Sequence, residues 1–139
     1  MKTQHHLALS LGLAFALLAT VGCGGGRTDL IPVQGKVILD NQPLAKGKIT
    51  LEATDGRGGV EGGDIINGEY SLKTTAGSKA VKIHAEKVVG QKKTYNTEDS
   101  AVEDVAVEAI PPRYNRNTEL AIEVSTTATE HSFELTSKK

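Results

Sequence analysis

An antiparallel, seven-stranded β-sandwich with Greek-key connections is the fold this chain predicts. Three observations carry that reading. Seven short runs alternate apolar and polar residues. Turn signals separate them at intervals of about 8 to 12 residues, the spacing of sandwich strands. Helical apolar spacing is almost absent after residue 30.

The first run, Val33 to Leu39, places Val33, Val37 and Leu39 on one face. Asp40-Asn41-Gln42-Pro43 follows as a turn, because Asp and Asn adopt turn conformations and Pro fixes φ. Lys48 to Glu52 returns with Ile49 and Leu51 inward, and Asp55 to Gly59 forms a loop. Gly62 to Ile66 leads into Asn67-Gly68, the strongest two-residue hairpin signal. Glu69 to Lys73 then sets Tyr70 and Leu72 inward, and Ala76-Gly77 turns the chain. Ala80 to Ala85 carries Val81, Ile83 and Ala85 inward, with Lys82 and His84 outward. Leu120 to Val124 and His131 to Leu135 form a last pair. Such alternation lets each sheet bury one face and wet the other.

The N-terminal part obeys different physics. Lys2 precedes an apolar stretch, Leu7 to Val21, which ends in Gly22 and the lone cysteine, Cys23. A charged start, a stretch of about 15 apolar residues and a small residue at the cut make a secretory signal. A membrane-spanning helix needs about 20 apolar residues, and this stretch is interrupted by Ser10 and Gly12. Val21-Gly22-Cys23 resembles the lipobox of bacterial lipoproteins, although Thr20 stands where that motif usually has Leu. The resemblance implies cleavage after Gly22 and lipidation of Cys23. The expected organisation is a cleaved signal at 1–22, a lipidated cysteine with a Gly-rich tether at 23–30, and one β-sandwich domain at 31–139. The resemblance further implies export and anchoring in the cell envelope. Gly24, rather than Asp, after the cysteine points by analogy with lipoprotein sorting to the outer membrane.

Composition narrows the function. Without Lys2, 15 of the 16 Lys and Arg face 17 Asp and Glu, so no basic surface for nucleic acid is expected. The sandwich has no cysteine, so packing alone must hold it. Trp is absent. His5 and His6 lie in the signal and leave His84 and His131 as the histidines of the domain.

Two segments break the strand pattern. Residues 87–108 read as a long, polar, poorly periodic loop with Lys92-Lys93-Thr94-Tyr95 followed by Glu98, Asp99, Glu103, Asp104 and Glu108. Long loops on rigid scaffolds often carry function. The carboxylates suit calcium, but no Asp-x-Asp-x-Asp-Gly loop is present. The second segment is Ile110-Pro111-Pro112-Arg113-Tyr114-Asn115. Its prolines forbid ladder hydrogen bonds, so Ile110, Pro111, Pro112, Tyr114 and Asn115 are expected to build an ordered corner capping the sandwich.

Taken together, Val33-Gln34-Gly35-Lys36-Val37, Ile66-Asn67-Gly68-Glu69-Tyr70-Ser71-Leu72, Gly77-Ser78-Lys79-Ala80-Val81-Lys82-Ile83 and the Ile110 to Asn115 segment resemble a known group. It comprises small exported bacterial lipoproteins with carboxypeptidase-regulatory-like or transthyretin-like domains. The fold this implies is prealbumin-like, of the Ig-like Greek-key kind. The function it implies is an accessory, structural or adhesive module without catalysis or cofactor. Its partners are then the membrane, through the N-terminal lipid, and an envelope protein or glycan. An alternative expectation is a specific peptide- or glycan-binding module that uses the 87–108 segment.

Enzymatic readings fare worse on the residues. Transthyretin-like hydrolases use several histidines, an arginine and a Tyr-Arg-Gly-Ser ending, whereas this chain ends Glu134-Leu135-Thr136-Ser137-Lys138-Lys139. His84 and His131 fall on different strands and read as rim residues. A Lys–Asn isopeptide crosslink needs an inward Lys, and Lys36 has the wrong parity. No catalytic or metal-binding residue is expected.

Overall fold

The computed structural model describes residues 29–56 and 58–138, and these described residues form ten strands and no α-helix. Gly22 and Cys23, with the signal and most of the tether, lie outside the described residues.

Alternation builds the strands much as the sequence predicts. In β1 (Ile31–Leu39) the side chains of Ile31, Val33 and Val37 are buried, while Pro32, Gln34 and Lys36 are exposed. Asp40 and Asn41 both take positive φ, at 49° and 65°, and join β1 to the short β2 (Gln42–Pro43). That two-residue turn has the left-handed pair of conformations typical of tight hairpins. β3 (Lys46–Ala53) buries Ile49 and Leu51, and β4 (Val60–Ile66) buries Ile65. Asn67 and Gly68, with φ of 53° and 79°, turn β4 into β5 (Glu69–Thr74). A Cβ on Gly68 would lie 2.6 Å from that of Pro43, so the two turns pack against each other. β6 (Gly77–His84) sends Lys79, Val81 and Ile83 inward.

The main sheet runs β10-β1-β5-β4-β3-β6-β9, with β9 at Ala121–Val124 and β10 at Phe133–Leu135. It curls where β4 meets β5. Those strands share two register pairs, Ile65↔Tyr70 and Ile66↔Glu69, whereas β4 pairs with β3 over its whole length. β1 works twice: residues 31–36 pair with β5, and Val37 to Leu39 pair with β10. The two halves of the curl therefore face each other across one apolar core, a sandwich-like all-β arrangement. Val33, Val37, Tyr70, Phe133 and Leu135 come from one side, and Ile49, Leu51, Ile65, Val81, Ile83 and Val124 from the other. Tyr70 and Phe133 stack with ring centroids 6.2 Å apart.

Three details differ from the sequence reading. The strands number ten, because β2 and two strands within 87–108 were not foreseen. β10 runs parallel to β1, since the chain crosses back between β9 and β10 instead of turning in a tight hairpin. His131 precedes β10 and is tied to β1 through its own N–H and the Gln34 carbonyl, 2.9 Å apart.

The largest correction concerns residues 87–108, which are not a loop but a two-stranded hairpin of β7 (Glu86–Lys93) and β8 (Val102–Glu108). Nearly every residue in it is exposed. An extra residue, Val89, bulges between the pairs Val88↔Ala106 and Gly90↔Val105. A bulge shifts the side-chain alternation by one, and a hairpin wet on both faces has no apolar side to repeat. The period-two signal is therefore missing, although five valines mark the strands.

Candidate functional site

The arm formed by β7 and β8 leaves the sandwich at one point, and a hydrogen-bonded ionisable pair with access to solvent, His84 and Glu108, sits there. β6 ends at His84, which faces outward as its parity predicts. Ala85 is buried in the core, and β7 starts at the next residue. β8 returns to Glu108, and Ile110 re-enters the core. The Ala109 N–H donates to the Ala85 carbonyl at 2.7 Å, closing the root.

Glu108 clasps this root. Its Oε1 accepts from the N–H groups of Ala85 (3.1 Å) and Ile110 (3.0 Å), and its Oε2 lies 2.8 Å from His84 Nδ1. Partial burial pushes the carboxyl up, but the bonds from His84, Ile110 and Ala85 outweigh it and hold Glu108 below the usual carboxylate range. A carboxylate that accepts several hydrogen bonds is stabilised in its charged form.

Below the arm lies a cleft of about 510 Å³, bounded by Lys46, Lys48, Asp64, His84, Val88 and Glu108. Lys48 and Asp64 form an exposed ion pair at 3.6 Å, which contributes little in water. A carboxylate orienting an imidazole can serve a general base. No Ser, Thr or Cys is among the residues that line the cleft. The geometry fits a structural clasp that fixes where the arm emerges.

His131 stands elsewhere. Its carbonyl accepts from the Tyr70 hydroxyl at 2.7 Å, and its ring Nε2 lies 3.2 Å from the Ala128 carbonyl. Burial pushes the Tyr70 hydroxyl well above its ordinary pKa. Among the described residues, no group of three or more His, Cys, Asp or Glu is placed to hold a metal.

The proline segment forms a corner. Pro112 to Tyr114 make one 3₁₀ turn, with Tyr114 N–H bonded to the Pro111 carbonyl at 3.0 Å. Asn115 is buried: its Nδ2 donates to the Ile110 carbonyl at 3.0 Å, and its Oδ1 accepts from Arg116 N–H at 2.6 Å. The Arg113 guanidinium lies 4.7 Å over the Tyr114 ring and donates to the carbonyls of Thr136 and Lys138. Ile110, Pro111, Pro112, Tyr114 and Asn115 thus lie in an ordered corner, which Arg113 and the Tyr114 hydroxyl tie to the C-terminal segment.

One feature escaped the sequence reading. Lys79 is 1% exposed and points inward with Val81 and Ile83. Its ammonium donates to Thr75 Oγ1 at 2.8 Å and makes no ion pair among the described residues. An inward lysine of the kind the crosslink would need does exist, then, but on β6. The buried Asn115 has its amide occupied by Ile110 and Arg116. The parity of β6 alone points to Lys79; its charge is what hid it.

No helix among the described residues is long and apolar enough to cross a membrane. The sequence matches no known protein family and no curated protein. Among solved structures, a 9R-lipoxygenase from Cyanothece PCC8801 aligns at 12% identity and a TM-score of 0.31, over 78% of this chain and 16% of that one. The chain thus spans a small part of that protein, and so slight a likeness bears on neither fold nor function.

Proposed function

We propose that the protein is an envelope lipoprotein, anchored through Cys23, whose β-sandwich serves as a non-catalytic accessory module. The observation that carries this reading is the lone cysteine directly after Gly22 at the end of the Leu7 to Val21 apolar stretch. The position of the folded domain supports it. The first strand begins at Ile31, so a short Gly-rich segment separates Cys23 from the sandwich, as a tether requires. One acyl chain holds a protein only weakly at a membrane, whereas two or more make a lasting anchor. The resemblance to exported lipoproteins of the carboxypeptidase-regulatory-like group points the same way, and Gly24 after the cysteine favours the outer membrane by analogy with lipoprotein sorting.

Fractionation of cells expressing the full chain tests the anchor. The wild-type protein should pellet with membranes, resist high salt and leave with detergent, and Cys23→Ala should appear in the soluble fraction. Equal membrane retention of both would refute the reading.

The exposed β7–β8 arm favours a second reading, a binding module for a peptide or glycan. Each arm strand has one edge unpaired in the sheet, which is the setting for strand addition. Replacing residues 88–106 by a tight turn should then abolish partner capture while the sandwich keeps its melting temperature.

A further inference from the structure

Register divides the arm into two faces. Pairs across β7 and β8 share a face, so Glu86/Glu108, Val88/Ala106, Gln91/Asp104 and Lys93/Val102 lie on one side. This side opens onto the cleft at the root, where Val88, Ala106 and Glu108 contribute. Lys87/Val107, Gly90/Val105 and Lys92/Glu103 lie on the other, outer side. The bulge at Val89 keeps Lys87 on the same side as Gly90.

The outer face has three properties of an unfilled contact. Gly90 faces open space: a Cβ built there meets no atom within 4 Å. Val107 beside it is 46% exposed. Lys87, Lys92 and Glu103 make no ion pair among the described residues, although Lys92 and Glu103 are register partners. An isolated two-stranded hairpin is marginal in water, yet this one keeps Val88, Val89, Val102 and Val107 exposed and Val105 only partly covered.

We propose that the outer face of the arm is a self-association surface on which two copies stack about a two-fold axis running along the arm. Such an axis lays β7 of one copy over β8 of the other at the same height. Register partners then become partners between copies. Lys92 meets the partner's Glu103, Gly90 receives the partner's Val105, and the stem of Lys87 covers the partner's Val107. Cation meets anion, and the missing side chain meets a branched one.

The charge pattern selects this arrangement over its rivals. On the outer face β7 presents Lys87 and Lys92, whereas β8 presents Glu103; Glu86, Lys93, Asp104 and Glu108 lie on the inner side. A two-fold axis across the strands would lay β7 on β7 and set cations against cations. Pairing β7 edge to edge with its own copy would set Lys87 against Lys92. Seven residues per strand at ~3.3 Å, over a width of roughly 10 Å, give about 230 Å² per arm. Stable complexes use about 800 Å² per partner, so the dimer is transient and needs high protein concentration. The proposal stands whether or not Cys23 anchors the chain.

A charge exchange tests it. Lys92→Glu and Glu103→Lys are made separately in the full-length protein, and association is followed by sedimentation equilibrium up to ~1 mM, a range suited to weak complexes. Each variant alone should self-associate about tenfold more weakly than wild type. An equal mixture should regain the wild-type level, because the introduced carboxylate of one copy faces the introduced ammonium of the other. Gly90→Val guards against loss by melting of the arm. It favours the strand conformation yet blocks the partner's Val105, so association should fall while the arm amides stay protected. A mixture no better than the single variants would overturn the proposal. So would a wild-type chain that stays monomeric throughout, or a Lys92→Glu chain that associates more tightly than wild type, as β7-to-β7 edge pairing requires.

Discussion

His84 and Glu108 hold the root of the arm together: Nδ1 of the one lies 2.8 Å from Oε2 of the other, across the point where β6 ends and β8 returns. The same carboxylate accepts from the Ala85 and Ile110 amides, so one side chain fixes both strands of the exit.

Removing that carboxylate should loosen the arm without unfolding the sandwich. Glu108→Ala is expected to cost about 1–2 kcal/mol, the lower part of the range for hydrogen bonds to a charged group because the side chain is 42% exposed. Hydrogen exchange should accelerate at Ala85, Ala109 and Ile110 and remain slow at Val81 and Ile83. Acid should act in the same direction. Glu108 binds its proton less readily folded than unfolded, so its contribution is complete above the unfolded value of about 4.3 and is lost as pH falls through the lower folded value. Amide protection at the root should fall below about pH 4 in the wild type and show no such step in Glu108→Ala.

Asn115 should matter more than its place in a loop suggests. It is 1% exposed and bonds both Ile110 and Arg116. Asn115→Ala leaves two backbone groups without their partner, and about 1–3 kcal/mol of stability should be lost in denaturant unfolding.

A methyl group at Gly35 has nowhere to go. The Cβ would lie 1.8 Å from the His131 carbonyl oxygen, which is also the acceptor of the Tyr70 hydroxyl. Backbone must move, so Gly35→Ala should cost at least about 3 kcal/mol, the upper end for overpacking, with weakened pairing of β10 to β1 seen as faster exchange at His131.

Lys79 predicts the opposite sign. A buried ammonium with a single hydrogen bond and no ion pair is a desolvated charge. Lys79→Met keeps the stem's length and removes the charge, so stability should be unchanged or rise by up to ~2 kcal/mol. A clear loss in urea unfolding would show that the ammonium itself is needed.

How far these features could be read from the sequence follows from what each residue signals. The Asn67-Gly68 turn and the alternation of Val33 and Val37 were legible because one conformation and one buried face dictate them. The arm was not, because a bulge at Val89 and two wet faces erase the period-two pattern. Its valines, rich in strand preference, were the usable sign. Lys79 was overlooked because its type argues for exposure while its parity argues for burial, and parity won. The Glu108 clasp depends on contacts between residues 84, 85, 108 and 110 that no local spacing encodes. The Ile110 to Asn115 corner was visible through its two prolines, but the bonds from Arg113 to the carbonyls of Thr136 and Lys138 were not.

The most direct test of the central claim is the intact mass of the mature protein purified from the membrane fraction, beside Cys23→Ala. The account predicts a chain that begins at Cys23 and is heavier by a diacylglyceryl group and an acyl chain, with the variant unmodified and soluble. An unmodified chain cut at another position would contradict it and leave a secreted sandwich in place of an anchored one.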